Sequence, residues 1–174
     1  FELQMYLESE SYRLRVYIWN MTHGGGSARP ADEYRIQVTG VTRFEKAPGY
    51  KTLVLGWWAR GGVFAGYDVR KHSAALGFSP SLQIRRGALE LAAQTGFAPS
   101  DKGNQEIAIA FRPDFFAQYV RDLETLHDFG QSTQDFAVLE AVAQEPEVNA
   151  AELPMTNQAR RVAVATVSRK LRDA

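Results

Sequence analysis

The stretch "KTLVLGWWARGGVFAGYDV", residues 51–69, decides the fold. Residues 51–59 form a nearly continuous apolar run, the pattern of a strand covered on both faces. "ARGG" is a tight-turn signal, and residues 61–69 read as the returning strand of an antiparallel hairpin.

Working upstream, "YRLRVYIW" (12–19) alternates and is rich in β-branched and aromatic residues, so it is a strand. "EYRIQVTGV" (33–41) alternates too. Tyr34, Ile36 and Val38 share one face, and Glu33, Arg35, Gln37 and Thr39 share the other. Downstream, "SPSLQI" (79–84) is short, with Ser79 or Ser81 placed to cap the helix "RRGALELAAQTG", which Gly96 closes. "NQEIAIAF" (104–111) is a further strand. "RPDFFAQYVRDLETLHDF" (112–129) is a helix with Pro113 in its first turn and Phe116, Tyr119, Val120, Leu123 and Leu126 at helical spacing. "DFAVLEAVAQ" (135–144) is a short helix, "EPEVNAAELPMTN" (145–157) a linker, and "QARRVAVATVSRKLRDA" (158–174) a basic helix.

Strands come first and helices later, which points to an α+β fold. The expected architecture is a curved, mostly antiparallel sheet, or a partly closed barrel, with helices packed at one side and a C-terminal helical extension. The expected division is a domain over 1–130, a short helix and linker over 131–157, and a basic helix over 158–174 that leads to a further unit. The chain starts at Phe1 and stops within a charged helical pattern, so it reads as a fragment.

Of the 174 residues, 45% are hydrophobic and none is cysteine. Disulfides, thiolate zinc sites and a cysteine nucleophile are thereby excluded. No apolar run approaches the ~20 residues of a membrane span. A cytoplasmic bacterial protein without membrane contact fits best.

The formal charge is zero, but it is segregated. Residues 13–86 carry twelve Lys/Arg against four acids, and residues 87–159 carry three against twelve. Segregation of this size speaks of partners. The rival reading is a strand-rich half that is basic by chance, with the acids on solvated helix faces.

Motif searches narrow the chemistry. His23, His72 and His127 form no local ligand pair, and neither a P-loop nor a nucleophile elbow occurs. A self-contained Mg²⁺ nuclease of the PD-(D/E)xK type would draw on Glu33 and Asp68, but Arg35 stands where such a site needs lysine. What remains is a basic, aromatic surface. Arg29, Arg35, Arg60, Arg70 and Lys71 suit phosphates and guanine edges, while Gln37 and His72 offer neutral hydrogen bonds. Trp57, Trp58 and Tyr67 suit base stacking or core packing. Adjacent on a strand, Trp57 and Trp58 point to opposite faces, so one is expected buried and the other partly exposed near Arg35 or Gln37. Gly24, Gly25, Gly26 and Ser27 form a loop able to approach a DNA backbone, with Arg29 as its anchor.

"RPADEYRIQVTG", "LVLGWW", "GVFAGYDVRKHS", "SPSLQI" and "EIAIAFRPDFFAQYV" together resemble the N-terminal domain of bacterial HNH-family putative restriction endonucleases. The resemblance covers most of residues 12–129. It implies a double-stranded DNA recognition module of a restriction enzyme, able to sense a modified base, followed by an HNH nuclease whose motif is absent from this chain. It implies no catalytic residue, metal or cofactor here; a divalent metal would belong to that nuclease. A homodimer of the full-length protein is the expected assembly. An RNA-binding or protein-interaction module is the remaining alternative.

Overall fold

The computed structural model describes residues 1–24, 30–149, 152, 154–155 and 157–173. Eight strands form one sheet: β1 (Glu2–Leu7), β2 (Glu10–His23), β3 (Glu33–Gln37), β4 (Tyr50–Trp58), β5 (Val63–Tyr67), β6 (Ser81–Arg85), β7 (Phe97–Gly103) and β8 (Glu106–Phe111). Five α-helices accompany them: α1 (Arg86–Thr95), α2 (Phe116–Arg121), α3 (Leu123–Asp128), α4 (Thr133–Gln144) and α5 (Gln158–Arg172). The strand order is β6-β3-β2-β4-β5-β8-β7, with β1 also paired to β2. The hairpin of residues 51–69 is present as β4 and β5, with Trp58 opposite Val63. The sheet is mixed, because β4 runs parallel to β2 while the other pairings are antiparallel. The ends of the strand order approach each other where the Arg85 backbone N–H donates to Ser100 Oγ at 3.4 Å. The result is a nearly closed barrel with helices beside it.

Strand alternation separates two cores. On β8, Ile107, Ile109 and Phe111 face the helices, while Ala108 and Ala110 face the barrel interior. Ala65 and Ala98 join those alanines inside, leaving room for Trp58, Tyr67 and Leu89 of α1. Narrow barrels need small residues where bulky ones enter. β4 serves both cores, with Leu53 and Leu55 outward and Val54 inward.

Several expectations are corrected. Ser81 opens strand β6 and does not cap a helix; α1 starts after Arg85 with no side-chain cap, and Gly96 ends it at φ 113°. The helix expected over 112–129 is broken at Asp122, where φ is −103° and ψ is 20°. Lys51 Nζ donates to the carbonyls of Val120 (2.7 Å) and Arg121 (2.8 Å), which that break frees. Strand β7 was unforeseen, since Pro99 and Gly103 imitate a loop; its place at the end of the strand order tolerates proline. Val138, Leu139, Val142, Val164, Val167 and Leu171 of α4 and α5 share the core of β2, β4 and β8. No helix among the described residues is long and apolar enough to cross a membrane.

Candidate nucleic-acid interface

β3 and β6 form an antiparallel pair, the ribbon, at one end of the strand order, with β2 on the other side of β3 and register Glu33↔Arg85, Arg35↔Gln83 and Gln37↔Ser81. Directly paired residues point the same way. Tyr34, Ile36, Leu82 and Ile84 therefore turn into the barrel, where Ile36 and Ile84 are buried. The opposite face carries six polar side chains in two rows: Glu33, Arg35 and Gln37 beside Arg85, Gln83 and Ser81.

The side chains on this face are held but not consumed. Gln83 Nε2 donates to Ser81 Oγ at 2.9 Å. Gln37 Nε2 donates to Pro80 O (2.9 Å) and Ser79 Oγ (3.2 Å). Arg85 pairs with exposed Asp32 at 2.9 Å, an interaction of small net value in water. Arg35 Nε is the one buried side-chain polar atom without a hydrogen-bond partner among the described residues. Such an atom calls for an explanation, and an absent ligand is one.

The ribbon ends in loops. At the Glu33 end, the Gly24 N–H donates to Glu33 O at 2.8 Å, and a Cβ on Gly24 would lie 3.2 Å from that carbonyl oxygen. Gly24 thus closes against the ribbon. Gly25, Gly26, Ser27 and Arg29 lie outside the described residues. At the Gln37 end, residues 38–49 are anchored by buried Phe44, which packs edge-on to Tyr17 and Trp19 at 5.4 and 6.2 Å. Arg43 and Lys46 flank that anchor, are exposed, and make no ion pair among the described residues. With Arg15, Ser73 and Glu45, which pairs with Arg15 at 3.3 Å, they line a cavity of about 380 Å³.

The other expected contacts divide. Lys71 and Arg60 are exposed and unpaired among the described residues. Arg70 is tied down: it meets Asp68 (2.9 Å) and Asp128 (2.8 Å) and donates to Glu124 O at 3.2 Å. His72 Nε2 donates to Glu106 Oε1 at 2.8 Å, and Lys102 Nζ shares that oxygen at 2.7 Å. Burial raises the Glu106 carboxyl, but the bonds from His72 and Lys102 outweigh it and leave the pKa low. Tyr67 is a core residue, 1% exposed, with its hydroxyl donating to Leu82 O at 3.3 Å.

The tryptophans split as their adjacency requires. Trp58 is buried in the barrel against Tyr34 at 5.6 Å. Trp57 is partly exposed and packs on Phe64 at 4.8 Å. Trp57 pairs with Asn20, and Arg35 pairs with Thr22 two residues further along β2. Alternation therefore puts Trp57 on the sheet face that bears Arg35, although its ring contact is with Phe64.

Glu33 and Asp68 are not gathered at one cavity. Glu33 lines a cavity of about 320 Å³ beside β7; Asp68 lines one of about 420 Å³ between β4 and α3. Asp68 caps the short 3-10 turn Val69–His72 and is bidentate to Arg70. Burial raises its carboxyl, yet the Arg70 hydrogen bonds prevail and hold it below the usual carboxylate range. In the same cavity, burial pushes His127 down to about 4. Its Nδ1 faces Ile107 O at 3.1 Å and so carries the proton, which leaves Nε2 to accept from Tyr119 Oη at 3.0 Å. Among the described residues no group of three or more His, Cys, Asp or Glu could hold a metal ion.

Sequence reading missed Ser81, Gln83, Arg85, Arg43 and Lys46. For the first three a signal existed, since "SLQIR" alternates as plainly as "EYRIQ".

Comparison with known proteins gives one match: the family model described as methylase-associated X1 fits residues 12–120. No curated protein and no solved structure matches.

Proposed function

The chain belongs to the methylase-associated X1 family, and on that premise we propose that it is a duplex-DNA recognition module of a restriction–modification system. The observation that carries the reading is the polar face of the β3–β6 ribbon, with two glutamines and an arginine whose Nε lacks a partner. Laid against a major groove ~12 Å wide, the outward side chains of these two strands would reach base edges. Arginine matches the O6/N7 edge of guanine, and glutamine the N6/N7 edge of adenine. Arg43, Lys46 and Lys71, which make no ion pair among the described residues, would meet phosphates beside the ribbon.

The same geometry supports sensing of a modified base without extruding it. The adenine N6 and the C5 edge of pyrimidines both lie in the major groove. A ribbon there would meet a methyl group directly, which suits a family described by its association with methylases. Cutting would fall to a partner unit, the HNH nuclease that the sequence resemblance implies, and Mg²⁺ would serve that unit.

The test is binding of this chain to a randomised duplex library, unmodified or bearing N6-methyladenine or 5-methylcytosine, at stated salt. Selective enrichment is expected. If six phosphates are contacted, log K should fall with log salt at a slope of roughly −5. Absence of duplex binding at ~50 mM salt would sink the reading.

A further inference from the structure

Phe78 is the most exposed large apolar side chain named in the fold, at 104% relative exposure, against 74% for Tyr6 and 68% for Phe1. Single exposed apolar residues are common and by themselves carry little. The mounting of this one is different. Its loop is fixed on both sides. Leu76, partly buried, packs against the barrel core, and its N–H donates to Thr42 O at 2.8 Å. Two residues after Phe78, Pro80 O accepts from the Val38 N–H and from Gln37 Nε2, both at 2.9 Å. Between these clamps Ser79 adopts φ 58°, a left-handed conformation that L-residues rarely take, which turns the chain sharply just past the ring. The benzyl group therefore stands in water at the tip of a clamped turn.

Its loop is bonded to the segment that bears the unpaired cations Arg43 and Lys46. Thr42, which receives the loop's hydrogen bond, precedes Arg43, and Ser73 at the loop's start lines the cavity of Arg43 and Lys46. On the other side the loop is bonded to Gln37, the last residue of the polar ribbon row. An apolar ring on a loop bonded to a cation-bearing segment and to the polar strand row is poorly suited to an apolar protein groove, because burying those cations would be costly. It suits a polyanion with apolar faces to enter.

We propose that Phe78 is a wedge that inserts into the base stack of duplex DNA at the end of the ribbon's footprint, unstacking one step and bending the duplex. This rests on the DNA reading above. Apolar wedges of this kind partly unstack base steps, and the ring exchanges water for base faces on binding. Phosphates on either side of the opened step would be met by Arg43 and Lys46.

The experiment compares the wild-type chain with Phe78→Ala and Phe78→Trp on a duplex selected from a randomised pool, carrying 2-aminopurine at successive steps. Wild type should raise 2-aminopurine fluorescence at one step, by unstacking it. F78A should lose that rise and about tenfold in affinity, with the salt slope unchanged because no charge is removed. F78W should restore both. The melting temperature should not fall in F78A, since the ring packs on nothing. Duplex affinity and fluorescence that F78A leaves intact would overturn the wedge while the DNA reading stands. Failure of the wild-type chain to bind any duplex would overturn both.

Discussion

The 3-10 turn after β5 and the β3–β6 ribbon look alike in sequence, and the fold treats them oppositely. "YDVRKHS" offers Arg70, Lys71 and His72; "EYRIQ" offers Arg35 and Gln37. In the turn, Arg70 is locked by Asp68 and Asp128, and His72 by Glu106. On the ribbon, Arg35 keeps a buried nitrogen without a partner. Charge counted along a chain measures how many cations exist. The acids that meet them, Asp68 beside the turn, Asp128 of α3 and Glu106 of β8, decide which remain available to a partner.

The largest expected effect tests the locked region by pH. His127 has its pKa lowered from 6.5 to about 4 by burial. Between those values the unfolded chain takes up a proton that the folded one refuses, so the His127 contribution to stability falls as pH drops from ~6.5 and is fully lost by ~4. The loss should reach about 3 kcal/mol, from ~1.4 kcal/mol per pH unit. Urea melts across this range check it, and His127→Gln should flatten the dependence.

Next in size, Asp68→Ala should destabilise by about 3 kcal/mol, because Arg70 loses its bidentate partner and the 3-10 turn its cap. Duplex affinity measured where the variant is still folded should not change. A drop in affinity without a drop in stability would mean that the turn belongs to the interface after all.

On the ribbon the signs reverse. Arg35→Ala should leave the melting temperature within about 2 °C, since the Arg35 side chain makes no hydrogen bond or ion pair among the described residues that the change would break. It should weaken binding to the selected duplex by about 1–3 kcal/mol and relax preference at one base pair. Equal losses on all sequences would make Arg35 a phosphate contact instead.

The smallest effect sharpens the comparison inside the turn itself. Lys71, exposed and unpaired beside locked Arg70, should when changed to Ala reduce the salt slope by ~0.9 and cost under ~1 kcal/mol of binding. Arg70→Ala should leave that slope as it is.

Much of the fold is legible in the sequence. The hairpin 51–69 announces itself through a run covered on both faces, and "EYRIQ" through alternation. β7 is not legible, because Pro99 and Gly103 carry turn chemistry that only a sheet-end position tolerates. The break at Asp122 is hidden too, since the apolar spacing of residues 116–126 continues through it and the stabilising amine, Lys51, comes from β4. In the candidate site, Arg35 and Gln37 could be named in advance, while Phe78 could not. Exposure of a phenylalanine is a property of what fails to cover it.

Local alternation and composition thus determined most of the elements, the α+β class and the basic character of the strand-rich half, because these depend on residues a few positions apart. The tertiary structure alone decided the parallel pairing of β2 with β4 and the near closure of the barrel. It also decided which cations are neutralised and where the polar ribbon meets the Phe78 loop. Each of those joins residues far apart in sequence, and no local pattern encodes the energy of a contact whose partner lies elsewhere in the chain.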